Sequence, residues 1–217
     1  MMRTCVMVVA GLFISGCHKR YQRHAKDLGH VKLVVERPAG ATVESADADV
    51  AIPADETGVV ETVAEVAMDV ATVVLAAKAQ KKLDRATSPG ETRAAMAAGL
   101  LQSVDNESLP YKVGEKGRSR LVISIENYGL DASSGMPMAF VSTRTSIFNK
   151  QGKPVYRAME TCYRSIGPDA QIPIDSVDNL LAMKALSELG AKRMAKIMES
   201  LTEQCAEEIA AELVLHL

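Results

Sequence analysis

The amino terminus carries an apolar run that limits how the rest of this chain can fold. Residues 5–16 (CVMVVAGLFISG) contain no charged side chain and come after the short positive start Met1-Met2-Arg3. These twelve residues fall well short of the about 20 that a membrane-spanning helix needs. A positive start followed by such a run is typical of a cleaved secretory signal. We therefore expect residues 1–16 to be a signal peptide and the remaining residues to fold as one domain.

The run ends in the tetrapeptide Ile14-Ser15-Gly16-Cys17. An aliphatic residue, two small residues and a cysteine in this order resemble the lipobox of bacterial lipoproteins, in which the cysteine thiol accepts diacylglycerol. The resemblance implies that the mature chain begins at Cys17 and is held on a bilayer by acyl chains, each buried methylene contributing about 0.8 kcal/mol. An ordinary secretory signal cut near Gly16 and a chance buried cysteine are the alternatives.

The residues after Cys17 carry information about location. In lipoproteins of this kind an Asp at the next position favours the inner membrane, and this chain has His18, so the resemblance implies an outer-membrane anchor facing the periplasm. We expect residues 17–30 to form a lipidated basic tether, to which anionic headgroups add about 1 kcal/mol per cation. A merely solvated linker is the alternative. The cations near this segment are Lys19, Arg20, Arg23, Lys26 and Lys32, against Asp27.

Several classes of function are not indicated. The net charge of −2 and the absence of Trp argue against nucleic acid, which selects basic surfaces and stacking aromatics. No nucleophile, zinc, phosphate-loop or dinucleotide motif is present. No CxxC pair exists, and His18, His24, His30 and His216 all lie near the chain ends. We therefore expect no enzyme, no metal site and no cofactor beyond the covalent lipid on Cys17.

Two cysteines remain once the signal is removed and Cys17 carries lipid. They are Cys162, in a predicted strand, and Cys205, on the apolar stripe of a predicted carboxy-terminal helix. In an oxidising compartment an even pair is a disulfide candidate. Two unpaired core cysteines are the alternative, since a free cysteine behaves as a small hydrophobe.

A strongly acidic segment precedes a Val-rich one. Residues 38–57 contain Pro, Ala, Asp and Glu without Lys or Arg, and we expect an acidic loop there. Residues 59–83 predict a long helix, with acids early and lysines late as the helix dipole prefers. Its dense Val and Ala surface predicts either a buried helix or one whose apolar face meets a partner or lipid.

The remaining elements predict the fold class. Residues 120–128 alternate apolar and polar side chains, as a half-buried strand does, and the polar residues 149–152 predict a hairpin turn. We expect an α+β domain over residues 31–217, with an antiparallel sheet of about four strands covered on one face by helices and a long carboxy-terminal helical segment that passes through or breaks near Gly190.

Part of the predicted sheet resembles a known family. A strand broken at Tyr128-Gly129, a second strand at 139–148, a polar Gly turn at 149–152 and a third strand opening with Val155-Tyr156 occur in this order. This succession, within residues 121–158, resembles the auxiliary lipoproteins of ABC-type transporters. The resemblance implies a two-layer α+β domain and a role beside an envelope transport system.

Three arginines are candidates for partner or headgroup contacts. Arg144, Arg157 and Arg164 fall on adjacent predicted strands, where they would cluster on an exposed sheet face and receive an acidic partner or a phosphate headgroup. Cross-strand pairing with Glu126 and Glu160 is the alternative.

These observations converge on a functional hypothesis. We expect a non-enzymatic outer-membrane lipoprotein whose periplasmic domain binds an envelope protein within a transport or assembly system. One rival is a carrier that shields an acyl chain or phospholipid against the Val-rich helix at 59–83. A hydrolase with an unrecognised site is another.

Overall fold

Helices and strands make up most of the computed structural model, which describes residues 15–45, 59–166 and 176–217. All but the last two residues of the predicted signal peptide lie outside these ranges. In chain order the elements are α1 (Ser15–His24), a 3-10 turn (Ala25–Asp27), β1 (His30–Val35), β2 (Thr42–Glu44), α2 (Val59–Ala86), α3 (Pro89–Asn106), β3 (Lys112–Gly114), β4 (Ser119–Asp131), β5 (Met138–Phe148), β6 (Pro154–Ser165), α4 (Ser176–Glu188) and α5 (Ala191–Leu215).

The six strands form one mixed sheet. Five of them lie side by side in the order β3-β1-β4-β5-β6, and β2 pairs with the last residues of β4, past the end of β1. The pairs β1–β3, β1–β4 and β2–β4 are parallel, whereas β4–β5 and β5–β6 are antiparallel. The combination of a sheet with helices and a long carboxy-terminal helix is confirmed. The expected antiparallel sheet of about four strands is wrong in strand number and in type. Apolar alternation predicts which face of a strand is buried, but not the direction of the strand beside it. Parallel neighbours need a long crossover connection, and here α2 and α3 supply it between β1 and its neighbours.

The central strands agree closely with the sequence pattern. Leu121, Ile123 and Ile125 of β4 are buried on the face that the helices cover, as their alternation predicts. The β5–β6 hairpin forms at the predicted place, where the Asn149 side chain accepts hydrogen bonds from the backbone N–H groups of Gln151 and Lys153.

The carboxy-terminal helix covers the sheet. The predicted apolar stripe of α5 is buried along its whole length, and α3 packs against it at Gly99, where a Cβ atom would lie 3.1 Å from the Cβ of Ala206. The helical segment breaks before α5, and Gly190 is the residue that precedes its first turn. α2 packs against α4 and α5 on the outer side of this layer.

The segment expected to be a tether is part of the folded domain. Over residues 19–30, where side chains are described, it forms the end of α1, the 3-10 turn and the start of β1. Tyr21, Ala25 and Leu28 are buried in the main core. Their spacing of four and three residues puts all three on one face of a helical segment, which is why the segment packs against the domain.

The predicted acidic loop contains a strand at its start. Residues 42–44 form β2, and residues 46–57 lie outside the described part of the chain. β2 approaches β4 so closely at Gly129 that a Cβ atom there would overlap the carbonyl oxygen of Thr42. Only glycine therefore allows this parallel pairing. Within the described residues, no helix combines the length and apolarity needed to cross a bilayer.

Candidate functional site

The predicted attachment point, Cys17, lies in the first turn of α1. Four residues later, Tyr21 is fully buried. A helix advances about 1.5 Å per residue, so the Cα atoms of Cys17 and Tyr21 are separated by about 6 Å along the axis. An acyl group on Cys17 would therefore hold the domain directly at a bilayer surface, with no linker in between.

A cluster of buried tyrosines fixes α1 to one end of the sheet. The ring of Tyr21 lies 4.9 Å from that of Tyr156 on β6 and 6.4 Å from that of Tyr111 beside β3. The hydroxyl oxygens of Tyr21 and Tyr111 are 2.6 Å apart and share a hydrogen bond. Burial raises the pKa of Tyr21 to about 12 and also raises the pKa of Tyr111. Both phenols are therefore neutral at physiological pH, and Tyr21 bridges the two edge strands of the sheet.

The middle of α2 presents an apolar face to solvent. Val70, Val73 and Val74 are 59%, 67% and 60% exposed, and their spacing of three and four residues places them on one side of the helix. Leu181, on the neighbouring α4, is 47% exposed. We call Val70, Val73 and Val74 the valine stripe. Of the two outcomes predicted for this helix, the exposed apolar face applies to this stretch, whereas Ala79 and Leu83 nearer its end are buried.

The carboxy-terminal half of α2 is held firmly by polar contacts. The Gln80 side chain accepts a hydrogen bond from the backbone N–H of Val43 and donates one to the carbonyl of Ala41. The Lys82 ammonium donates to the carbonyl oxygens of Ser187 and Leu189, groups that the end of α4 leaves without helical partners. These contacts fasten this half of α2 to β2 and to the end of α4.

A disulfide joins Cys162 of β6 to Cys205 of α5, with the two Cα atoms 5.6 Å apart. Both residues are buried. Of the two alternatives for these cysteines, the structure contains the pair. The bond ties an edge strand of the sheet to the helix that covers it.

The three candidate arginines do not cluster. Arg144 and Arg157 lie on the open face of the sheet, and Arg144 forms an ion pair with Glu126 at 3.4 Å. Arg164 points to the helix side, where its guanidinium donates a hydrogen bond to Ser200 of α5 at 2.6 Å. The predicted cluster of three is wrong because Arg157 and Arg164 are an odd number of residues apart, and strand side chains alternate between faces.

The carboxyl group of Glu160 is buried, which its charge does not suggest. It lies on the helix side of β6, and neither carboxyl oxygen has a hydrogen-bond partner. The hydroxyl groups of the neighbouring Thr143 and Thr145 also lack partners. Burial, together with the nearby carboxylates of Glu212 and Glu208 on α5, raises the pKa of Glu160 to about 7. The predicted arginine pairing thus holds for Glu126 and not for Glu160.

The side chain of His216 is more buried than its position in the sequence suggests. Its side chain is 13% exposed, with Nε2 3.7 Å from Glu212. Its Nδ1 lies 3.1 Å from the hydroxyl oxygen of Tyr156. Tyr156 is itself buried, and these contacts fasten the end of α5 to β6.

Two cavities are lined mostly by polar residues among those that the structure describes. One, of about 490 Å³, lies between α3 and α5 and includes Gln102, Glu203 and Glu207. The other, of about 330 Å³, brings His24 and Asp27 together with the hairpin residues 149–151. In the ranges that the structure covers, no group of His, Cys, Asp and Glu has the arrangement needed to hold a metal ion.

Comparisons with known proteins found few similarities. No protein-family model matches the chain, and no curated protein matches it. Among solved structures it is similar to a crystal structure of a Xanthomonas campestris protein from the family DUF330, with 12% identity and a TM-score of 0.37. The match covers 57% of this chain and 62% of that protein. A function for this chain is therefore inferred from its own residues.

Sequence reasoning missed the burial of Tyr21 and of the Glu160 carboxyl group. The signal for Tyr21 was available, because Tyr21, Ala25 and Leu28 form a helical apolar stripe among cations that drew attention to charge instead. Glu160 had no such signal. A carboxylate in a strand is ordinarily solvated, and its burial depends on how α5 lies over β6.

Proposed function

We propose that this chain is a non-enzymatic lipoprotein, anchored through Cys17 in the outer membrane, whose periplasmic domain binds another envelope component as an adaptor. The partner belongs to a transport or assembly system of the envelope. The observation that carries this proposal is the valine stripe, in which three large apolar side chains on one helix are more than half exposed. Contiguous exposed apolar surface on a folded domain is characteristic of interaction sites.

The position of Cys17 supports the anchoring half of the proposal. Its acyl chains would emerge from a helix that the domain core holds through Tyr21. A short rigid connection of this kind keeps the domain at the membrane and limits the directions in which α2 points. An adaptor that presents one helix face to another envelope component gains affinity from such restraint, because less freedom is lost on binding.

The acyl-chain carrier remains the competing proposal, and it would use the same apolar helix. The adaptor is favoured because α2 packs on α4 and α5 and touches the sheet at β2, so the valine stripe faces outward. A carrier must enclose an acyl chain, whereas an outward stripe is available to a protein surface.

Copurification from detergent-solubilised membranes tests the two proposals. The parent is compared with Val73→Glu, which places a charge in the centre of the valine stripe, and with Ala94→Glu, a matched change at an exposed position of α3. We expect a defined envelope protein to copurify with the parent and with Ala94→Glu, and to be depleted about tenfold with Val73→Glu, the loss expected for about 1.4 kcal/mol of binding free energy.

Two other results would count against the adaptor. Capture of the same protein by Val73→Glu at the parent's level removes the valine stripe from the interface. Phospholipid that copurifies stoichiometrically with the parent, without any protein partner and with loss in Val73→Glu, supports the carrier instead.

A further inference from the structure

One end of the sheet concentrates positive charge. The strand register brings together the starts of β1, β3, β4 and β6 and the end of β5, through the pairs His30–Lys112, Lys32–Arg120 and Arg120–Phe148. The turn before β1, the β3–β4 loop and the β5–β6 hairpin all lie at this end. We call its exposed cations the basic end: Lys26, Lys112, Lys116, Arg118, Arg120, Lys150 and Lys153.

Few opposing charges accompany the basic end. Asp27 and Glu115 are the only carboxylates in these three connecting segments, and Glu107 lies in the segment that leads into β3, although the chain as a whole has a net charge of −2. Among the residues that the structure describes, none of the seven cations forms an ion pair, whereas Arg144 on the open face does. Unpaired like charges close together repel one another, and an anionic partner removes that cost.

The helix that carries the predicted attachment point ends beside the basic end. His24, the last residue of α1, lines a cavity together with Lys150 and Gln151 of the hairpin. Cys17 and His24 belong to the same helix, so they are separated by about 10 Å along its axis. An extended tether over residues 17–30 would have spanned about 45 Å and left the orientation of the domain open. The packed helix α1 restricts that orientation.

We propose that the basic end rests on the anionic phospholipid headgroups of the bilayer in which Cys17 is anchored. This inference rests on the proposed anchoring and adds the orientation of the domain. α2 is fastened to β2 through Gln80. β2 pairs with β4 at Gly129, which is nine residues beyond Arg120. At about 3.3 Å per residue, that contact lies about 30 Å from the basic end. α2 is therefore attached to the domain well away from the membrane.

Vesicle binding by the unlipidated mature chain carrying Cys17→Ser tests the basic end without the anchor. The probes are phosphatidylcholine vesicles with and without about 30% phosphatidylglycerol, at low salt so that charges are weakly screened. The basic-end variant combines Lys116→Glu, Arg118→Glu, Lys150→Glu and Lys153→Glu. The control has the same charge change elsewhere on exposed helix positions, through Lys81→Glu, Arg85→Glu, Lys192→Glu and Arg193→Glu.

We expect the parent and the control to bind anionic vesicles and not neutral ones, with binding weakened by salt. The basic-end variant should bind at least about tenfold more weakly than the control. Equal loss in both variants would show that net charge alone governs binding and would overturn the assignment. So would equal binding of the parent to neutral and anionic vesicles. Neither result bears on acylation of Cys17, which is measured separately in cells.

A second measurement reads the orientation of the lipidated protein. The chain contains no Trp, so Gln151→Trp at the basic end and Ser133→Trp in the β4–β5 turn each introduce a single fluorophore. With the lipidated protein in vesicles that carry headgroup spin labels, we expect strong quenching for Gln151→Trp and little for Ser133→Trp. Equal quenching, or the reverse order, would contradict the proposed orientation.

Discussion

At the scale of single residues, the contact between Tyr21 and Tyr111 helps to fix α1 to the domain. Their hydroxyl groups share a buried hydrogen bond of 2.6 Å. Changing either tyrosine alone to Phe leaves the other hydroxyl buried without this partner, which costs about 1–3 kcal/mol. Changing both removes the unsatisfied group. We expect the double variant Tyr21→Phe/Tyr111→Phe to be more stable than the sum of the single changes predicts, as measured by urea unfolding. Strict additivity would contradict the shared bond.

Glu160 gives the domain a pH-dependent stability. The pKa of a glutamate is ordinarily 4.5, and burial raises that of Glu160 to about 7. Between these values the folded state binds the extra proton, so this group's contribution to stability falls as pH rises from about 4.5 to about 7. Glu160→Gln removes the titration.

The measurement for Glu160 is the free energy of unfolding as a function of pH. Relative to the parent, we expect Glu160→Gln to gain stability progressively through this window, by up to about 3 kcal/mol above pH 7. Glu207→Gln, an exposed change on α5, serves as the control and should keep the parent's slope. A constant difference between Glu160→Gln and the parent across the window would contradict the buried carboxyl.

At the scale of elements, the Cys162–Cys205 bond joins β6 to α5 across a separation of 43 residues. In the chain-entropy model such a loop stabilises the fold by about 4 kcal/mol. For a domain of this size we expect reduction to lower the Tm by about 8–16 °C, as measured on the Cys17→Ser background. The double variant Cys162→Ala/Cys205→Ala should melt at a low Tm and be insensitive to reductant. Two thiols that titrate in the denatured, unreduced parent would contradict the bond.

An element could be predicted where the residues that determine its packing lie within the element itself. The stripe of α5 and the alternation of β4 record which face is buried, and both predictions held. The parallel pairing of β1 with β4 is a contact across two intervening helices, and nothing local to either strand specifies it. The predicted arginine cluster was wrong for a different reason: Arg157 and Arg164 lie on the same strand, and their odd spacing alone places them on opposite faces of the sheet.

At the scale of the whole molecule, the proposed arrangement combines an anchor, a basic end beside it and the valine stripe on α2. The sequence predicted an attachment point at Cys17 and a Val-rich helix, but it gave no sign of how the two are arranged. The arrangement depends on Tyr21, which converts the expected tether into a packed helix. We predict that Val73→Glu, at an exposed position, leaves the free energy of unfolding within about 0.5 kcal/mol of the parent. A larger loss in urea unfolding would mean that the stripe is part of the core.

Acylation of Cys17 is the premise on which the proposed function depends, and metabolic labelling combined with membrane fractionation tests it directly. We expect labelled fatty acid in the parent, which should sediment with the outer membrane, and no label in Cys17→Ser, which should be released with the soluble periplasmic proteins. An unlabelled parent that fractionates in the same way as Cys17→Ser would contradict the proposed anchoring and the adaptor function with it.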